Sequence, residues 1–354
     1  MKLITSSIIA SFIFLIACQK SDFYKNENST LGLASTAIHQ KEVAHVEVVQ
    51  PIVFIAGFDE DENAYYTNAT RHFKQKKYKV VEGLYSIDEI INYLNLHQSG
   101  KNYSEIHIVS HSNPWRGMSL KTKKDGDRIT EKALNEYVAN TKNKSINTVT
   151  NDTKIIFHSC GLGDNSTLLK QLQGVFNKET LPQLFASPYF NIFGGKYTEH
   201  YLAKPYYVFY PTAQSKGPLA LSQEIAAANP DKDIDWKKAL TTREEPGLGE
   251  VYSYRFNIPV TWEIAFTTAS EIPNLNTPDE IMDFVAEDEN MARTLFEMNI
   301  PLEKYRWTTK IKDNVLKISG KTTALCVLEP IMNLEDEGNY ANLDILDNTV
   351  YTRL

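Results

Sequence analysis

The sequence predicts an α/β protein: a parallel sheet with helices on both faces, followed by a smaller C-terminal α+β addition. Three observations support this. From Ile52 onward, short apolar runs rich in β-branched residues alternate with segments of helical spacing, the pattern of strands joined by crossover helices. The runs are apolar throughout, as strands buried on both faces must be. Past Thr212 the style changes, and Gly217, Pro218, Pro230, Pro246, Gly247 and Gly249 punctuate the chain, which marks the start of the addition.

Residues 1–17 read as a targeting signal. Lys2 supplies the positive start, and 3–17 is apolar or small apart from Thr5, Ser6, Ser7 and Ser11. A membrane span needs about 20 apolar residues, so this stretch fits the apolar region of a signal peptide instead. It ends in Leu15-Ile16-Ala17-Cys18, which resembles the bacterial lipobox. The resemblance implies that Cys18 becomes the first mature residue, is diacylated on sulfur (palmitate-type chains) and anchors the protein in the bacterial cell envelope. Two acyl chains suffice for stable anchoring. The alternative is an ordinary secretory signal with an incidental cysteine. Residues 18–50 are polar and aperiodic, a flexible tether.

The remainder is globular in composition, 42% hydrophobic and 23% charged. The net charge of −7, which becomes −8 once Lys2 is removed, argues against nucleic acid as a partner, because phosphate binding needs basic clusters. Contact with the membrane is expected through the lipid anchor only. Of the three cysteines, Cys18 is assigned to lipid. Cys160 and Cys326 could pair in an oxidising envelope. Cys326, however, lies in Thr322-Thr323-Ala324-Leu325-Cys326-Val327-Leu328, a core-like run where cysteine behaves as a small hydrophobe.

The elements run in order through an expected α/β domain at 51–212. Ile52-Val53-Phe54-Ile55-Ala56 is a strand closed by Gly57, residues 63–76 are helical, and 78–81 form a second strand. Ser86 three residues before Glu89 is a capping box, opening a helix through Leu96 whose Ile87, Ile90, Ile91 and Leu94 keep one face. A strand ends at His111, a helix covers 131–139, and a second strand ends at Cys160. Residues 166–176 read as a helix, with strands at 186–195 and 206–210. In the addition, 213–354, runs at 252–258 and 260–267 read as strands. Thr277-Pro278-Asp279-Glu280 caps a helix, and Asp313-Asn314 turns a hairpin between 305–311 and 315–319.

The chemistry sits at two strand ends. Glu105-Ile106-His107-Ile108-Val109-Ser110 delivers His111, and Thr153-Lys154-Ile155-Ile156-Phe157-His158-Ser159 delivers Cys160. Residues past the carboxyl ends of parallel strands line the crevice where such sheets bind ligands. A histidine and a cysteine placed there can meet as base and nucleophile although distant in sequence. Gly161 lets the backbone turn and present an N–H to a developing oxyanion. His107 and His158 alternate with the motif positions, so period-2 geometry turns them into the packed faces. Zinc held by His111, His158 and Cys160 would need tighter ligand spacing, and the chain has no CxxC. No metal or cofactor is expected.

The ordered set Ser110-His111, Met118-Ser119-Leu120, Asp125-Gly126-Asp127 and Ile129-Thr130, and then Cys160-Gly161-Leu162-Gly163, resembles the caspase-like cysteine peptidases of clan CD, and among them the bacterial CHAT domains. The resemblance covers residues 52–212. It implies a caspase-like sandwich, a hydrolase acting on a peptide or protein substrate, Cys160 as nucleophile and His111 as acid/base. Oxyanion donors would be the N–H groups of Cys160, Gly161 and Ser112. The family has Gly where this chain has Ser112, and that departure keeps open a catalytically inactive member that binds rather than cuts. The primary-pocket region at 185–195 carries no acidic residue that would select Lys or Arg, leaving Asp164 and Glu199 as the acids near enough to reach in. A third possibility is an α/β-hydrolase-like esterase, suggested by Gly57-Phe58 and His111-Ser112. Its elbow requires G-x-S-x-G, and neither glycine flanks Ser112.

Overall fold

The first sheet is built from strands whose two faces are both apolar. A computed structural model describes residues 50–354 apart from 60–62, 99, 142–145 and 337. The signal segment, Cys18 and nearly all of the tether therefore lie outside the described residues. The chain runs β1 (Ile52–Ala56), α1 (Ala64–Gln75), β2 (Lys79–Leu84), α2 (Ile87–Leu96) and β3 (Glu105–Val109). A short hairpin, β4 (Ser112–Asn113) with β5 (Gly117–Met118), precedes α3 (Glu131–Asn140), β6 (Lys154–His158), α4 (Ser166–Phe176) and β7 (Gln183–Ala186). Strands β2-β1-β3-β6-β7 pair in parallel in that order. The fold is thus mixed α/β with a parallel-dominated sheet.

Period-2 alternation assigns the two faces. Ile52 and Phe54 join Ile106, Ile108, Ile155 and Phe157 under α2, α3 and α4. Val53, Ile55 and Val109 face α1 through Tyr66, Ala69 and Phe73. All five β1 residues are buried, which explains the unbroken apolar run. Ser86 caps α2 as expected, with Oγ accepting from the Glu89 N–H at 3.3 Å. Glu89 returns to the Tyr85 N–H and the Ser86 hydroxyl.

The second sheet comprises β8 (Phe190–Phe193), β9 (His200–Pro211), β10 (Tyr252–Ala265), β11 (Arg306–Lys312) and β12 (Val315–Pro330). Its order is β10-β12-β9-β8, with β11 on β12. It draws strands from both sides of Thr212, since β12 pairs with β9 over Thr322–Pro330. Helices α5 (Pro218–Ala228) and α6 (Trp236–Thr241) pack on it through Trp236, Leu221 and Ile225. Helices α7 (Pro278–Glu287) and α8 (Glu289–Met298) pack against Trp307, Leu316 and Ile318. The chain ends in β13 (Thr352–Arg353), antiparallel on β7. All the described residues fall in one compact unit, Val46–Leu354.

Two element boundaries differ from expectation. The strand expected at 186–195 is two strands in different sheets, β7 and β8, divided at Ser187-Pro188-Tyr189; Pro188 has no N–H for a ladder. The runs at 252–258 and 260–267 are instead one strand, β10, that passes through Pro259. As an edge strand, β10 can hold a proline with its missing donor turned to solvent. The Asp313-Asn314 turn is as expected, both residues adopting positive φ (50° and 58°), as a two-residue hairpin of primed type requires.

Candidate active site

His111 and Cys160 each lie two residues past the end of a strand, β3 and β6, that pair with Val109 opposite His158. Equal displacement past paired ends brings both side chains to the α1 face, and both line one cavity of about 610 Å³. That volume is within the range of small-ligand sites. Gly161 makes the turn after the nucleophile position: its φ of 71° is left-handed, a conformation glycine adopts without steric cost.

His111 is held from three sides. Its ring stacks on Tyr65 at 4.3 Å between centroids and meets the edge of Tyr66 at 4.9 Å. Its Nε2 lies 2.8 Å from Asn63 Nδ2. Its backbone N–H donates to the Tyr66 hydroxyl (3.0 Å), which donates to Asp59 Oδ1 (2.8 Å). Gly57 is required where Tyr66 crosses β1, because a Cβ there would stand 2.3 Å from the Tyr66 oxygen. Burial holds the imidazole below its ordinary range; the Asp59 carboxylate pulls it upward and Arg128 downward.

Cys160 is buried and free, as is Cys326. Both belong to one apolar cluster with Phe190, Tyr201, Tyr252 and Leu328. The Cys160 thiol reaches the Asn191 carbonyl at 3.8 Å. Burial pushes it up to about 12, and the opposing backbone hydrogen bonds at Asn191 and Cys160 itself do not offset that. Among the described residues no hydrogen bond joins the sulfur to His111. At rest the thiol and the imidazole are therefore both neutral, on the wall of one cavity.

The oxyanion expectations separate here. Gly161 is corrected: its N–H donates to the Tyr189 carbonyl at 3.1 Å and is engaged. Ser112 lines the cavity. The Ser119 N–H donates to the His111 carbonyl (2.7 Å), so the alternation of an antiparallel ladder turns the Ser112 N–H away from its partner strand. Ser112 stands in the β4–β5 hairpin, not at the strand-to-helix elbow an esterase nucleophile occupies.

His107 and His158 occupy packed positions beneath α1. His107 Nδ1 lies 2.9 Å from His158 Nε2, Glu105 lies 2.8 Å from His107 Nε2, and the Phe73 ring covers both histidines. His72 and His200 extend the group, at 5.2 Å from each other and with His200 at 5.5 Å from His158. Burial holds His158 and His200 well below their ordinary value. Glu199 is engaged with His72 at 3.6 Å. Neither Glu199 nor Asp164 lines the cavity; Glu244 and Glu245, from the loop before β10, do. Sequence reasoning also missed Asp59, Asn63, Tyr66 and Asn191. The first three come from the β1 loop and α1, where a Gly-Phe-Asp turn after an apolar strand was the available signal. No known family model, curated protein or solved structure matches this chain.

Proposed function

We propose that this protein is a cysteine endopeptidase of caspase-like design. The reading rests on one observation above the rest: His111 and Cys160, delivered by neighbouring parallel strands, line a single cavity. Cys160 Sγ attacks the scissile carbonyl carbon as its proton moves to His111. The C–N bond then breaks, and the imidazolium returns that proton to the departing amine. Water adds to the thioester with His111 as base, releasing the acid and restoring the thiol. The N–H groups of Cys160 and Ser112 receive the oxyanion. A mixed peptide library incubated with the protein, with Cys160→Ala as control, tests this by product mass spectrometry. Products that form equally with the alanine variant would exclude it.

A second reading, a binding lipoprotein on the same fold, is favoured by one feature. Asn63 occupies His111 Nε2, and no hydrogen bond joins the ring to Cys160 among the described residues. In that case the library yields no products, with the wild-type protein and Cys160→Ala alike.

Anchorage through Cys18 belongs to either reading. No helix among the described residues is long and apolar enough to cross a membrane. Cys18→Ser is expected to abolish palmitate labelling and partition into the detergent phase. Wild-type labelling and partition in that variant would exclude the anchor.

A further inference from the structure

Resting on the peptidase reading, we propose that the cavity beside Cys160 is a primary specificity pocket for a Lys or Arg side chain, with Glu245 receiving the cationic head. Glu245 lines the cavity yet is only 5% exposed. The Tyr340 hydroxyl donates to its two oxygens at 2.8 and 3.0 Å, and the Gly249 N–H donates to Oε1 at 2.7 Å. Glu244 lines the same cavity, and among the described residues neither glutamate is in an ion pair. A buried carboxylate without a cation carries a large desolvation cost, so a site that fixes one with neutral donors is arranged for a positive charge to arrive.

The wall between sulfur and carboxylate suits such a side chain. Cys160 packs in one cluster with Tyr201 and Tyr252, whose hydroxyls are 2.7 Å apart. Tyr201 lies 4.7 Å from the Tyr340 ring, which reaches Glu245. An aliphatic stem lies along aromatic surface while its charged end is delivered beyond it. A guanidinium adds cation–π contact with the rings and a bidentate bond to the acid. Asn191, 1% exposed, lines the same cavity; its Oδ1 lies 3.3 Å from His200 Nε2, and its side-chain nitrogen has no hydrogen-bond partner among the described residues. Lys196, the one Lys or Arg on this lining among the described residues, is exposed over the Tyr197 ring, 4.9 Å from its centroid; it interacts electrostatically with Glu244 and Glu245 but forms no ion pair with either, leaving the buried carboxylate without a bonded cation. An acidic substrate side chain would be repelled, and an apolar one would leave the carboxylate uncompensated.

The test is a fluorogenic peptide panel differing only before the scissile bond (Arg, Lys, Leu, Asp), run on the full chain. Calorimetric binding of N-acetylarginine amide accompanies it. Arg and Lys peptides are expected to be cleaved about a hundredfold faster than Leu, with Glu245→Gln collapsing that ratio and weakening the amide. Glu244→Gln should lower the ratio by a smaller factor. Should Glu245→Gln melt early, the wild-type panel and Glu244→Gln still decide. If Leu or Asp peptides are cut best, the pocket assignment is overturned and the peptidase stands. If no peptide is cut but the amide binds and depends on Glu245, the peptidase falls and the cation pocket stands. Absence of both basic preference and amide binding overturns the proposal.

Discussion

Replacing Cys160 with Ala is expected to lower peptide hydrolysis by about ten-thousandfold or more, and replacing His111 with Ala by nearly as much. Members of a nucleophile–base pair act as a unit, so the double variant should be little worse than either single one. Additive losses would mean that the two side chains do not share a step. The geometry also predicts the pH behaviour. Burial pushes the Cys160 thiol up to about 12 and holds His111 below 6.5, so neither is charged at neutrality. Proton transfer therefore accompanies attack, in place of a preformed thiolate–imidazolium pair. kcat/KM should rise as pH climbs through the His111 value, below 6.5, and stay level to about pH 8. Alkylation of the resting protein by iodoacetamide should still be increasing above about pH 9, where a pre-ionised thiolate would long have levelled off. A plateau in alkylation below about pH 7 would contradict the resting state described here.

The strand ends were legible because their chemistry is local. A short β-branched-rich run such as Ile155-Ile156-Phe157 reads as a buried strand, and the residues after a parallel strand emerge at the carboxyl edge of the sheet. His107 and His158 are packed as expected but do not alternate with the motif: residues 107, 109 and 111 share one parity, as do 158 and 160, so both histidines lie on the α1 face with His111 and Cys160, against Phe73. Helix α2 was legible from its cap, Ser86, which accepts the Glu89 N–H; Thr130 caps α3 in the same way but was not read as a cap from the sequence. The rest of the site depends on pairings with no local mark. Asn191 reaches the cavity because the chain leaves the first sheet at Pro188 and enters the second. Glu245 and the tyrosine wall of β10 arrive because β12 spans two neighbours, β9 and β10, along its length. Nothing in the sequence at 244–254 announces that contact. The Gly161 donor failed for a related reason: its N–H is taken by Tyr189, in the crossing segment between the sheets.

Acidification from about pH 7.5 to about pH 5 is expected to destabilise the protein steeply, before carboxylate protonation contributes. His158 is buried and His200 half-buried, and their charged forms are disfavoured, chiefly by desolvation and further by the neighbouring histidines; His72 is shifted the same way. The sign is fixed by which state binds protons. Below the unfolded value of 6.5 the unfolded chain takes up protons that the folded cluster refuses, so unfolding becomes easier as pH falls. The stability is fully present above 6.5 and is lost as pH drops toward the depressed folded values. Each unit of depression is worth about 1.4 kcal/mol, against a total stability of about 5–15 kcal/mol for ordinary domains, so the two histidines together weigh heavily. Glu105, held low chiefly by its hydrogen bond to His107, acts in the same sense but only below the carboxylate range, outside this window. Melting temperatures measured across that pH interval report the effect. His158→Gln should melt lower at the neutral end, because it loses the bond to His107 and packing against Phe73, yet show a shallower decline toward the acid end. A wild-type melting temperature that stays flat across this range, or a variant slope equal to wild type, would mean that the cluster accepts protons without cost and that burial does not hold these rings neutral.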